Sequence, residues 1–146
     1  MKENYTKKEF RVSSDLSLVR KASSKVLQFL KPLGLSDAHV FDIKLCLEES
    51  LINAMKYGSE LKKNLKVRLT AEYSGREVRL TVEDQGSGFD PKTLADCTKG
   101  NNLLRNRGRG VYLIHQLMDE VQYNPKGNRI CMVKFLNGVR QKKEAR

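Results

Sequence analysis

Glu49 and Asn53 lie four residues apart in the stretch Leu47-Glu48-Glu49-Ser50-Leu51-Ile52-Asn53-Ala54-Met55-Lys56-Tyr57-Gly58. In a helix that spacing puts both side chains on one face, one turn apart. A carboxylate there can take a proton or order a nucleophile, and an amide oxygen can coordinate a hard cation such as Mg²⁺. The same pair would also suit a plain solvated helix face. A second candidate is Asp84-Gln85-Gly86-Ser87-Gly88-Phe89-Asp90. Its glycines let backbone approach a flat or charged ligand, and Asp84 offers an acceptor for an exocyclic amine such as that of adenine. The ordinary alternative is a tight turn. The third is Arg107-Gly108-Arg109-Gly110, where a helix opens. Amides at a helix N-terminus suit phosphate, and flanking arginines add positive charge. A plain helix start after a glycine loop is the alternative there.

These residues need elements to carry them. Val40, Ile43, Leu47, Leu51 and Ala54 recur at three- and four-residue steps, which predicts a helix from about Asp37 to Tyr57. Asp42, Glu49, Asn53 and Lys56 follow a second, wetter stripe, and Gly58 can end the helix. Upstream, residues 4–12 suit an edge strand, Ser13-Ser14-Asp15 a helix cap, and Leu18, Ala22, Val26, Phe29 and Leu30 an amphipathic helix. Lys31-Pro32-Leu33-Gly34 ends that helix. From Leu65 the period becomes two. Val67, Leu69, Ala71 and Tyr73, then Val78, Leu80 and Val82, predict a hairpin turning at Ser74-Gly75. Residues 91–107 are long, polar and poor in apolar side chains, as a functional or mobile segment would be, with a turn of helix around Thr93–Asp96. A helix over Gly110 to Met118 and a second hairpin, Asp119–Tyr123 with Arg129–Leu136, complete the pattern. The order predicts an α+β two-layer sandwich, with helices on one face of a mostly antiparallel sheet.

At 146 residues the chain suits one domain, with a core over about residues 10–136 and a basic tail at 137–146. It is 39% apolar and has no apolar run of bilayer length, which excludes a membrane-spanning class. Lys2, Glu3 and Asn4 have no hydrophobic stretch behind them, so the expected compartment is the cytoplasm. Cys46, Cys97 and Cys131 read as reduced packing residues, and His39 and His115 have no metal-ligand spacing. The net charge of +11 admits a nucleic acid, an acidic protein partner or a nucleotide-binding protein with a basic lid and tail. Its basic residues are scattered and no aromatics interleave with them, so direct nucleic-acid binding is disfavoured.

In this order the motifs resemble those of the GHKL ATPases, which share the Bergerat nucleotide fold. The resemblance extends to their small anti-sigma-factor serine kinases of bacterial partner switches. Glu49-Ser50-Leu51-Ile52-Asn53-Ala54 is similar to the N-box of that family, and Asp84-Gln85-Gly86-Ser87-Gly88-Phe89 to its G1 box. Gly108-Arg109-Gly110-Val111-Tyr112-Leu113-Ile114 is similar to its G2 box, and the continuation to Val121 also resembles the subfamily. The resemblance implies that Glu49 is the catalytic base and that Asn53 holds Mg²⁺ beside the phosphates of ATP. Asp84 would read the adenine amine, Gly86, Gly88 and Phe89 would shape its pocket, and residues 91–107 would be the ATP lid. Gly108, Gly110 and Val111 would cradle phosphate, with Arg105, Arg107 and Arg109 beside it. Tyr57 stands where the subfamily often has histidine. Asn106 stands where an arginine often precedes the first G2 glycine, so that Arg105 or Arg107 would substitute.

The function so implied is an ATP-dependent protein-serine kinase. It would bind a sigma factor in one state and phosphorylate a STAS-domain anti-anti-sigma factor in the other. Such proteins are often homodimers. The alternative from another class is an ATP-responsive binding switch without kinase turnover, regulating a phosphatase or another partner. A hydrolysing ATPase and a sensor histidine kinase fit less well, because no transducer domain or phospho-acceptor helix pair is legible.

Overall fold

The computed structural model describes residues 4–86 and 106–136, with side chains from 110 onward in the second span. The period-two segments form one five-stranded sheet. β1 (Thr6–Ser13) pairs with β2 (Lys66–Tyr73), and β2 with β3 (Glu77–Glu83) across the short turn at Ser74. β5 (Arg129–Phe135) then inserts between β3 and β4 (Glu120–Tyr123), giving the order β1-β2-β3-β5-β4 with every pair antiparallel. In this register Glu83 faces Arg129, so the chain leaving β3 runs beside the turn that enters β5.

Three helices cover one face of the sheet, as the apolar periodicities require. Asp15 caps the first turn, accepting a 3.0 Å hydrogen bond from the Ser17 amide, and α1 (Val19–Phe29) follows. Gly34, at φ 58°, ends the turn beyond α1, and the Ser36 hydroxyl accepts from the His39 amide to open α2 (Asp37–Asn53). α3 (Asn106–Leu117) packs on α2. Val26, Leu30, Ile43, Leu47, Leu51, Leu69, Leu80, Ile114 and Met132 are completely buried between the layers. The fold is therefore the expected α+β sandwich. No helix among the described residues is long and apolar enough to cross a membrane.

Asp42 departs from the sequence expectation. Its place on the wetter stripe predicts exposure, yet it is buried, with Oδ2 2.8 Å from the ammonium of a fully buried Lys134. Lys134 takes an inward position of β5 in register with Ile130 and Met132, and its Nζ also donates to the Leu117 carbonyl at 2.6 Å. α2 packs against α1, α3 and the sheet, so little of its circumference is left for water. Cys46, one turn along from Asp42, is fully buried, and burial with the nearby Asp42 charge pushes its thiol up to about 12. It is an inert packing residue.

The buried pair ties α2, β5 and the end of α3 together. Lys134→Met should leave the Asp42 carboxylate buried without the ammonium and cost about 3–5 kcal/mol, whereas Asp42→Leu with Lys134→Met should recover most of that loss. Urea unfolding of the two variants measures the difference. Equal stability of wild type and Lys134→Met would contradict the ion pair.

Candidate active site

The stripe that carries Glu49 and Asn53 continues into a π-helical turn, Ala54–Gly58. The Ser59 amide reaches back to the Ala54 carbonyl at 2.8 Å and the Leu61 amide to Met55 at 2.7 Å. The chain then reverses through Glu60 and Leu61, both at positive φ. Insertions of this kind bend a helix end and recur at functional positions. Here the turn carries Gly58 directly onto the end of β3.

Gly58 and Gly86 explain why that contact is possible. A Cβ on Gly58 would fall on the Asp84 carboxylate, and one on Gly86 would fall on the Gly58 carbonyl and lie 3.0 Å from Asp84 Oδ1. Side chains at either position would separate the two segments. Asp84 itself is buried, and its Oδ1 accepts the Gly86 amide at 2.7 Å. The sequence suggests a ligand glycine at Gly86 and a helix stop at Gly58; in the structure both seat the carboxylate.

Gly110 makes the third close contact. A Cβ there would lie 2.7 Å from Glu49 Oε2 and 3.3 Å from Asn53 Nδ2. α3 begins at Asn106, so Gly108 falls within its first turn and Gly110 just above it. The helix thus opens earlier than the expected start at Gly110, and Gly110 itself meets the Glu49–Asn53 face. Orphan amides of such a turn favour an anion.

Between these elements lies an open cleft whose enclosed part measures about 40 Å³. Asn53, Asp84 and Val111 line it. Glu49 stands outside that lining, at the Gly110 edge. Ala54, Val82, Ile114 and Ile130 supply apolar walls, and Ser50, Tyr123, Gly127, Asn128 and Arg129 supply polar ones. Sequence reasoning missed these. Ser50 and Ala54 lie within the N-box stretch and Ile114 within the G2 stretch without an assigned role, while residues 123–130 carry only strand signals around the turn Asn124-Pro125-Lys126-Gly127-Asn128. Tyr57 is half-buried on the π turn, with the Lys56 ammonium 5.6 Å from its ring centre. Gly88, Phe89, Cys97, Arg105 and residues 91–105 of the lid expected over 91–107 lie outside the described residues, as do the side chains of Asn106, Arg107 and Arg109 and the tail at 137–146, while 106 and 107 already belong to α3.

Residues 12–134 match the histidine kinase-like ATPase domain family. The chain belongs to that family. It is similar to the serine-protein kinase RsbW of Staphylococcus aureus, 28% identical over 144 residues, covering 92% of this chain and 89% of the relative. The serine-protein kinase RsbW of Staphylococcus epidermidis is 31% identical over 131 residues, covering 83% and 79%. That of Bacillus subtilis is 30% identical over 115 residues, covering 74% and 72%. The fold is shared with the crystal structure of the RsbU and RsbW domains of a Mycobacterium tuberculosis protein, with a TM-score of 0.60 at 15% identity. That match covers 89% of this chain and 31% of the longer one. The GHKL resemblance is thereby shown, and family membership implies use of ATP.

The glycine contacts make a direct prediction. Gly58→Ala should displace the Asp84 carboxylate and weaken ATP about tenfold or more, the scale of one lost charge-assisted hydrogen bond. Gly75→Ala, where a Cβ meets nothing within 4 Å, should leave affinity unchanged. Calorimetric titration compares them, and equal ATP affinity for Gly58→Ala and wild type would contradict the seating role.

Proposed function

We propose that this chain is a protein-serine kinase acting through the cleft between α2, α3 and the β3 end, and an anti-sigma factor in a partner switch. The observation that carries the proposal is the meeting of Gly110 with Glu49 and Asn53, beside a cleft that Asn53 and Asp84 line. Family membership and the serine-protein kinase relatives support it.

In this reading the adenine amine donates to the Asp84 carboxylate and the base lies between the apolar walls. The phosphates meet the first turn of α3, with Gly108 and Gly110 keeping it bare and Arg105, Arg107 and Arg109 supplying positive charge. Asn53 is a fitting oxygen donor for Mg²⁺. Among the described residues no three His, Cys, Asp or Glu side chains gather into a cage, so the ion would share Asn53 with phosphate and water oxygens. Bound there, it would neutralise charge on the β- and γ-phosphates.

In this reading Glu49, outside the cleft lining, faces an incoming serine hydroxyl. It accepts the hydroxyl proton as the serine oxygen bonds to the γ-phosphorus, while the bond to the β–γ bridging oxygen breaks and ADP leaves. The protein substrate is a STAS-domain anti-anti-sigma factor, and a sigma factor is the alternative partner. A homodimer is the proposed assembly and the cytoplasm the proposed compartment.

Glu49→Gln should leave ATP affinity nearly unchanged and lower the phosphorylation rate about a hundredfold or more, as for a lost general base. Asn53→Ala should instead weaken Mg-ATP itself. Labelled ATP with a cognate STAS protein measures the rate. A wild-type rate in Glu49→Gln would contradict the catalytic role. Tight ATP binding without phosphoryl transfer by the wild type would favour the non-catalytic switch.

A further inference from the structure

The turn between β4 and β5 touches the end of β3 more closely than strand pairing requires. The Asp84 amide donates to the Asn128 carbonyl at 2.9 Å, and the Asn128 side-chain Nδ2 donates back to the Asp84 carbonyl at 2.9 Å. The Asn128 main chain and side chain thus hold both peptide groups of Asp84. The side-chain amide is itself oriented, because its Oδ1 accepts from Asn124 Nδ2 at 2.7 Å. Asn124 is fixed in turn: its Oδ1 accepts the Gly127 amide at 2.9 Å and the Arg129 amide at 3.1 Å. Asn128 lines the same cleft as Asp84, and Gly127, at φ 78°, completes the turn.

We propose that Asn128 is the positioning residue for base recognition: with Asn124 behind it, it sets the direction in which Asp84 presents its carboxylate to the amine of the bound base. Asp84 stands one place beyond the last paired residues, Glu83 and Arg129, so the bonds to Asn128 are what carry the ladder on to it. The Gly58 and Gly86 contacts limit where its carboxylate can lie, but the Asn128 clasp fixes the backbone from which it projects. Loss of the clasp would let the peptide rotate and spoil the geometry of a charge-assisted hydrogen bond, which weakens steeply with angle. The apolar walls would remain, so the rest of the base would still be held. Recognition of the 6-amino group should therefore be lost selectively. The proposal rests on the reading of the cleft as an adenine pocket.

The experiment compares ATP with purine riboside triphosphate, which lacks only the 6-amino group, by calorimetry on the full chain with Mg²⁺. Wild type should prefer ATP by about tenfold or more, the scale of a hydrogen bond to a charged group. Asn128→Ala should lose most of that preference through weaker ATP binding, with the affinity for the analogue unchanged. Asn128→Ser, whose hydroxyl can still donate, should restore part of it. Asn124→Asp keeps the Oδ1 acceptor that closes the turn but removes the donor to Asn128, and should also reduce the preference. It keeps the test decisive if Asn128→Ala fails to fold. Wild-type preference in the folded Asn128 and Asn124 variants would overturn the proposal, as would an equal loss for both nucleotides. A wild type that binds both nucleotides equally, or neither, would overturn the adenine reading itself, and this inference with it.

Discussion

The contact on which the site depends is the approach of Gly58 to the Asp84 carboxylate. Two backbone segments distant in sequence meet with no room for a methyl group between them. One is the end of the helix that carries Glu49 and Asn53, and the other is the end of a central strand. Their meeting fixes the relation between the Asp84 carboxylate and the Glu49 and Asn53 side chains, and in the proposed function it couples base recognition to phosphate chemistry. The π turn is what allows it, because its extra residue brings Gly58 against the strand end.

That contact would be of little use if the helices could slide on the sheet. The buried Asp42–Lys134 pair opposes this, anchoring α2 to β5 while Lys134 also holds the end of α3 through the Leu117 carbonyl. A buried ion pair is a poor source of net stability but a demanding one in geometry, since displacement of either helix would strand a charge. The two helices that face the cleft are thus referred to a single buried ammonium at their far ends. At the near end Gly110 lets α3 rest against Glu49 and Asn53.

Much of this was legible in the residues. The strand alternations of Val67–Tyr73 and Val78–Val82, the cap at Asp15 and the stripe of α2 all form as their local patterns predict. Gly86 and Gly110 of the motifs do lie at close approaches, because glycine spacing reports backbone approach whatever it approaches. What stayed hidden was set by tertiary partners. Asp42 and Lys134 each look like surface residues until paired, and no local pattern links position 42 to position 134. The placement of β5 between β3 and β4 depends on long-range pairing. For the same reason Asn124 and Asn128 read only as turn formers, although that strand order carries them to Asp84.

The most direct test of the account is an NMR titration of the protein with Mg-ATP, following backbone amides. The account predicts that the shifts concentrate at residues 53–58, 84–86, 108–111 and 123–130, the four segments that surround the cleft, with β1 and the start of α1 unmoved. Shifts confined to β1 and α1, or saturation that leaves the amides of Gly58, Asp84 and Gly110 unchanged, would contradict it.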